Sequence, residues 1–181
     1  MVDHSDDDVD ERYFERPKGG PKAFDEDLLQ EPVTALPVHE AVILSASDTV
    51  TDAMRAMQRE HRGCILVTDD GTNASKLVGI FTERDVLLRI VDRGKNPATL
   101  PLQEVMTADP EVLSVKSSVA HALNKMSLGG FRHIPVVDDE HRPALVVSVR
   151  DVVEFLVEAF PREILTIQPD SPSPPRAREG A

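Results

Sequence analysis

Apolar residues recur at helical spacing in two separate stretches of the chain. In each stretch they fall at positions i, i+3, i+4 and i+7, a pattern that predicts one buried face of an amphipathic helix. The second stretch lies 69 residues after the first, and both follow small polar residues suited to helix N-caps, at 47–49 and 117–118. The apolar positions are Val50, Ala53, Met54 and Met57, then Val119, Ala122, Leu123 and Met126.

The repetition continues beyond these helices. Short apolar runs that end in paired aspartates, over 64–70 and 133–139, predict buried strands that lead into turns. The offset between the copies then falls from 69 to 66 residues, because the first copy has a longer turn at 71–76. With leading strands at 42–44 and 112–113 and closing helices that end near Gly94 and before Pro161, each copy predicts a strand, helix, strand, strand, helix unit.

The most specific part of the repeat is the junction between the last strand and the closing helix. Thr82 and Asp85 in the first copy return as Ser148 and Asp151 in the second, with an arginine before each aspartate. An aspartate there presents two acceptor oxygens, which suit the hydroxyls of a ribose. The N–H groups that open the helix favour an anion. The same spacing is also a capping box, so helix capping without any ligand is the alternative interpretation.

Three features together resemble a tandem pair of cystathionine-β-synthase (CBS) domains, the Bateman module. They are the doubled Thr/Ser-x-Arg-Asp motif, the run at 130–138, and the linker at 105–110, and the resemblance covers about 33–160. It implies an α+β fold of two β-α-β-β-α repeats related by a pseudo-two-fold axis, with the sheets face to face and the helices outside. It also implies a cleft between the repeats that binds an adenine nucleotide, a regulatory role, and a homodimer formed through the helices.

The resemblance directs attention to particular residues for each part of a nucleotide. Arg132 and His133 are the candidates for the phosphates, because a guanidinium matches phosphate oxygens and a histidine adds charge if a phosphate raises its pKa. Arg84 and Arg150 lie inside the repeated motif. Each faces either the ligand or, as the alternative, solvent or a partner chain. Two sets of residues are candidates for the walls around adenine, with a place in the apolar core as the alternative for each. One set is Thr107, Pro110, Val112, Ile134 and Pro135, and the other is Val42, Ile43 and Cys64. The predicted nucleotide-binding residues are Thr82, Asp85, Thr107, Pro110, Arg132, His133, Ile134, Pro135, Ser148, Arg150 and Asp151.

The two copies are not equivalent. Gly63 and Cys64 stand where the second copy has Arg132 and His133, so the first copy lacks the cationic pair, although Arg62 is one position away. In the second copy a leucine at 145 replaces the glycine at 79, where this family brings the backbone close to its ligand. We therefore expect two sites of unequal affinity, or one working site, and the pattern leaves open which cleft Arg132 serves.

Composition narrows the choice of function classes. The 181-residue chain has a net charge of −12, which argues against electrostatic binding to nucleic acid or anionic lipid. Its one cysteine excludes an internal disulfide and favours a reducing cytoplasm. No apolar stretch approaches the roughly 18 residues of a membrane helix, and no signal peptide is visible. We expect a disordered acidic segment and linker or capping helix at 1–32, repeats at 33–100 and 101–167, and a Pro/Ser-rich tail at 168–181.

The function that follows is a non-enzymatic sensor of adenine nucleotides that acts on a separate effector protein. No cofactor is required; the ligand would be AMP, ADP, ATP or S-adenosylmethionine, with Mg²⁺ accompanying ATP. The sequence shows no metal-ligand spacing, P-loop or nucleophile elbow. A metal site at His4 and the neighbouring aspartates is conceivable by residue type, but the spacing is not that of a calcium loop. The alternative is a pair of repeats that dimerises and scaffolds a partner without binding nucleotide.

Overall fold

The structure is a computed structural model, and it describes residues 26–160. The predictions for the acidic N-terminal segment with His4 and for the Pro/Ser-rich tail lie outside the described residues. The described part begins with a short helix, α1, Glu26–Gln30, within the segment where a linker or capping helix is expected.

Each copy of the sequence repeat folds into the predicted unit. The first contains β2 (Ile43–Ser45), α2 (Val50–Glu60), β3 (Cys64–Thr68) and β4 (Leu77–Thr82), then α3 (Glu83–Asp85), which continues as a π-helix over Val86–Val91. The second contains β6 (Leu113–Ser114), α4 (Val119–Gly129), β7 (His133–Val137), β8 (Pro143–Ser148) and α5 (Val149–Ala159). The shift in repeat offset falls in a loop, as expected, because β3 and β4 are separated by 69–76 whereas β7 and β8 are separated by 138–142.

Local capping interactions fix where the four main helices begin. Thr49 and Asp52 form a capping box at α2, and the Ser118 hydroxyl accepts a hydrogen bond from the His121 N–H at α4. Thr82 and Ser148 cap α3 and α5 in the same way, each with the aspartate three residues later. Both capping roles in the doubled motif are therefore real.

The leading segment of each repeat crosses to the other repeat. β1 (His39–Glu40) pairs antiparallel with β8, and β5 (Thr107–Ala108) pairs antiparallel with β4, so the two sheets have the orders β1-β8-β7-β6 and β2-β3-β4-β5. Val33 is buried in the core of the second repeat, and Leu102 in that of the first. The exchange covers an edge strand that would otherwise leave its N–H and C=O groups unpaired.

Three apolar layers hold the molecule together, and the strands supply them by alternation. Ile65 and Phe81 face the helices of the first repeat, while Leu66 and Ile80, their neighbours along the strands, face the other sheet. The layer between the sheets also contains Val137 and Val146 from the second repeat. The sheets therefore pack face to face with the helices outside, as predicted.

The closing helix of the first repeat differs from the predicted amphipathic α-helix. Over Val86–Val91 the chain adopts π-helical turns, with the Asp92 N–H donating to the Leu87 carbonyl at 3.0 Å. Ile90 is buried, whereas the apolar side chains of Leu87 and Val91 are 63% and 66% exposed. The helix ends at Val91 with Asp92 as its C-cap, and Gly94, with φ 58, lies in the turn that follows, two residues beyond the cap.

Candidate functional site

Two clefts lie between the repeats, and each takes its aspartate from one repeat and its opposite wall from the other. We call them the Asp151 cleft, a cavity of about 620 Å³, and the Asp85 cleft, a cavity of about 480 Å³. The Asp151 cleft is bordered by 39–42, by 60–64 after α2, and by the start of α5. The Asp85 cleft is bordered by β5 and Pro110, by 130–133 after α4, and by the junction of β4 with α3. These are pseudo-symmetric positions in the two repeats.

Asp151 is buried, yet one of its oxygens is available to the cleft. The Ser148 N–H donates to Asp151 Oδ2 at 2.7 Å, and the Asp151 N–H donates to Ser148 Oγ at 3.3 Å. Within residues 26–160, Asp151 Oδ1 has no hydrogen-bond partner. Every fully buried side-chain nitrogen or oxygen in the same range does have a partner, so an unpaired atom there is not fully buried. Oδ1 is therefore in contact with solvent and can accept a hydrogen bond from a ligand hydroxyl.

Asp85 has both oxygens occupied. Its Oδ2 accepts from the Thr82 N–H at 2.9 Å and from the Thr82 hydroxyl at 2.7 Å. Its Oδ1 forms an ion pair with Arg89 Nε at 3.1 Å. The two aspartates of the repeated motif are thus equivalent in their capping and different in their second oxygen.

Arg132 and His133 border both clefts, which answers the question that the sequence left open. Arg132 is exposed, whereas burial lowers the pKa of His133 below its ordinary value of 6.5, against the opposing effect of the negative charges on Asp151 and Glu83. His133 is therefore neutral at pH 7. Of the predicted cationic pair, the protein itself supplies one positive charge, on Arg132.

Gly63 makes room for the His133 ring. A Cβ atom at position 63 would lie 3.0 Å from His133 Cε1 and 3.1 Å from Nε2, closer than most real Cβ contacts. The first repeat has a glycine where the second has Arg132 because the His133 side chain of the second repeat lies against that position. The missing cation is in part replaced, since Arg62 and Arg150 also border the Asp151 cleft.

Comparison with known proteins identifies the family of the chain. The model of the CBS domain matches the chain twice, over residues 33–92 and 102–158, which together exceed half of its length. The chain belongs to the CBS-domain family. The CBS domain-containing protein CBSCBSPB2 of Arabidopsis thaliana is 32% identical over 130 residues, covering 72% of this chain and 23% of that protein. The mitochondrial CBSX3 protein of the same plant is 31% identical over 122 residues, 66% of this chain and 58% of that protein. The CBS pair spans less than two thirds of either relative.

Solved CBS structures share the fold. The CBS domain of NE2398 is 28% identical and has a TM-score of 0.59, covering 66% of this chain and 89% of that one. The CBS domain protein PAE2072 from Pyrobaculum aerophilum, solved in complex with AMP, is 22% identical with a TM-score of 0.63, covering 71% and 97%. The second likeness shows the fold alone; AMP is a ligand of that protein.

The structure distributes the remaining predicted residues between the clefts and the core of the CBS pair. Thr107, Pro110 and Pro135 border the Asp85 cleft. Ile134 does not border either cleft; it is 1% exposed and packs under the helices of the second repeat. The reason is the alternation of β7, which directs Ile134 to the face opposite to that of its neighbours His133 and Pro135. Ile134 is thereby removed from the candidate site.

The proposed walls for adenine in the first repeat are also partly revised. Val42 and Cys64 border the Asp151 cleft, whereas Ile43 packs in the apolar layer between the sheets. Burial raises the pKa of the Cys64 thiol to about 12, so it stays protonated and acts as a small apolar residue, as expected.

The glycine at 79 serves the linker of the CBS pair rather than a ligand. A Cβ atom there would overlap Met106 Sδ, and Gly79 borders neither cleft. Its counterpart Leu145 also lies outside both clefts and packs against the core of the second repeat. Leu145 therefore narrows neither cleft.

Sequence reasoning missed Arg89, which reaches into the Asp85 cleft. A signal was present, because an acid followed four residues later by an arginine on a helix is a favourable ion-pair spacing. Among residues 26–160, no group of three or more His, Cys, Asp or Glu side chains is arranged to hold a metal ion. No helix in the same range is long and apolar enough to cross a membrane.

Proposed function

We propose that this CBS pair binds an adenine nucleotide in the Asp151 cleft and thereby regulates a separate effector protein. The observation that carries the proposal is the accessible Oδ1 atom of the buried Asp151 carboxylate, at the edge of a cavity large enough for a nucleotide. The AMP complex of PAE2072, which has the same fold, supports this ligand class.

The residues around Asp151 suit each part of such a ligand. Asp151 Oδ1 would accept from a ribose hydroxyl, and Ser148 stands beside it at the start of α5. Arg132 and Arg150 supply positive charge for phosphates in a protein that is otherwise strongly acidic. Val42 and Cys64 offer an apolar surface to the adenine ring.

The position of the cleft suggests how binding would be reported. Its walls come from both repeats, so a nucleotide in contact with both favours one relative orientation of the two over others. An effector that recognises this orientation would respond to the nucleotide by linkage. We propose this regulatory role in place of an enzymatic one.

A thermal-shift screen tests the proposal directly. The purified full chain is heated with AMP, ADP, ATP with and without Mg²⁺, S-adenosylmethionine, or NAD. A ligand that binds only the folded state adds roughly 2.7 kcal/mol of stability when its concentration is about a hundred times its Kd. The Tm of the protein must then rise. Asp151→Ala is expected to abolish the rise, because it removes the acceptor for the ribose.

Glu158→Ala is a matched control, since it removes an exposed carboxylate of the same helix that borders neither cleft. No Tm rise with any of the ligands, or an equal rise in the Asp151→Ala variant, would contradict the proposal.

The alternative function, a dimerising scaffold, is favoured by a separate observation. The closing helices of both repeats expose apolar side chains: Leu87, Leu88, Val91, Val149 and Val153 are 43–66% exposed. Such faces are typical of surfaces that associate, and a CBS-CP12 protein of the same fold is described as hexameric. We propose that a homodimer forms through these helices.

Sedimentation velocity of Leu88→Glu tests the dimer, with Leu128→Glu on α4 as the control. We expect the wild type and the control to sediment as dimers and Leu88→Glu as a monomer. A wild-type monomer at all concentrations, or a Leu88→Glu dimer, would contradict this interface.

A further inference from the structure

Arg89 ties the Asp85 cleft to the linker between the repeats. Its Nε lies 3.1 Å from Asp85 Oδ1, and its Nη1 donates to the carbonyls of Val105 at 2.7 Å and Met106 at 2.6 Å. Its Nη2 donates to the Thr107 hydroxyl at 3.0 Å. One guanidinium therefore joins the aspartate of the repeated motif to three consecutive residues of the linker.

These contacts occupy the groups that a nucleotide would need in this cleft. A ribose requires a free acceptor on Asp85, but Oδ2 is held by Thr82 and Oδ1 by Arg89. Thr107, predicted to border the adenine, already accepts from Arg89. Asp85 and Asp151 are similarly buried, at 8% and 6% exposure, so the two aspartates differ in the partner of Oδ1 and not in burial.

The second repeat has no equivalent of this arrangement. At the repeat offset of 66, the residue that corresponds to Arg89 is Phe155, which packs against the core of its own repeat. A phenyl ring cannot donate to a carboxylate, so Asp151 keeps its free oxygen. The difference between the clefts is thus the result of one side chain at matching positions.

We propose that Arg89 closes the Asp85 cleft to nucleotides, so that the CBS pair holds one adenine nucleotide per chain, in the Asp151 cleft. The inference rests on the proposed function, because it concerns the same ligand class. A nucleotide entering the Asp85 cleft must break the ion pair between Arg89 and Asp85 to gain the ribose contact. The loss of this partly buried ion pair should lower the affinity of the Asp85 cleft for a nucleotide about tenfold.

Titration calorimetry of the full chain tests the inference, with AMP, ADP and ATP as the probes. We expect one nucleotide per wild-type chain, and no loss of affinity in Asp85→Asn, because Asp85 would not contact the ligand. Arg89→Ala should bind two nucleotides per chain, and Arg89→Ala combined with Asp151→Ala should bind one. Arg93→Ala is the matched control, an exposed arginine near the end of the same helix, and should bind one.

The outcomes separate the two proposals. Two equal sites in the wild type, loss of binding in Asp85→Asn, or one site remaining in a folded Arg89→Ala variant would each overturn the role of Arg89. Absence of binding in both the wild type and Arg89→Ala would overturn the nucleotide-binding function itself. Circular dichroism confirms folding, and should Arg89→Ala fail to fold, the wild-type stoichiometry and the Asp85→Asn affinity still decide.

Discussion

Asp85 and Asp151 occupy the same position in two copies of one motif, yet only Asp151 keeps a carboxylate oxygen without a partner among the described residues. Each closes a capping box with the hydroxyl residue three positions before it. The remaining oxygen of Asp85 pairs with Arg89, whereas that of Asp151 has no partner among the described residues. A local motif therefore determines the helix start in both repeats, and the residue four positions later determines whether a carboxylate oxygen remains for a ligand.

The same contrast extends to the linker. Gly79 lies under Met106, and Arg89 holds the backbone of the linker beside Asp85. In the second repeat, Leu145 and Phe155 at the matching positions pack into their own core. The first repeat thus uses these positions to anchor the connection between the repeats.

The largest expected effect that would test this contrast is on stability. Asp85→Ala should lower the free energy of unfolding by about 2–3 kcal/mol, because it removes an ion pair and two hydrogen bonds from Thr82 and leaves Arg89 without its counter-charge. Asp151→Ala should cost about 1 kcal/mol, since it removes one bond to the Ser148 N–H. Urea denaturation of both variants measures the difference, and equal losses would break the comparison.

A smaller effect is expected from the glycine that supports the linker. Gly79→Ala should cost about 1–2 kcal/mol, because the new methyl group would crowd Met106 Sδ. Combining it with Met106→Ala should recover part of this loss, since the crowded atom is then absent, and a double-mutant cycle measures the coupling. Additive losses in the cycle would show that Met106 is not the reason for the glycine.

The smallest expected effect concerns the pH dependence of His133, which lies between the clefts. Because burial lowers the pKa of His133 in the folded state, the unfolded chain takes up this proton first as the pH falls. Stability is thus lost as the pH falls below 6.5 toward the lowered folded pKa, and is unaffected by His133 above it. His133→Gln should flatten this decline in thermal unfolding between about pH 7 and pH 5.

The charge on Asp151 offers a sharper version of this experiment. Asp151 raises the pKa of His133, so Asp151→Asn should lower that pKa further, as followed by NMR titration of the imidazole. A higher pKa of His133 in the variant would contradict the placement of Asp151 beside the ring.

Much of the fold and part of the candidate site could be predicted from the sequence. The apolar periodicity located α2 and α4, the offset shift located the longer loop, and the spacing of Thr82 and Ser148 from their aspartates predicted both caps. These signals are local, since each depends on residues within a turn or two of one another. Ile134 was predicted to contact the ligand but lies in the core of the second repeat, because consecutive residues of a strand point to opposite faces of the sheet.

The sequence by itself determined the repeat, the order of its elements, the helix caps and the pair of aspartates. Only the tertiary structure decided that the leading segments exchange between sheets and that the half-buried His133 lies against Gly63 of the other repeat. It also decided that Oδ1 of Asp85 is paired while Oδ1 of Asp151 is not. Arg89 reaches a linker 16 to 18 residues away, and the two walls of each cleft come from different repeats. Such contacts depend on how whole sheets pack against each other. They join residues that are close in space but far apart in sequence, so local spacing along the chain does not reveal them.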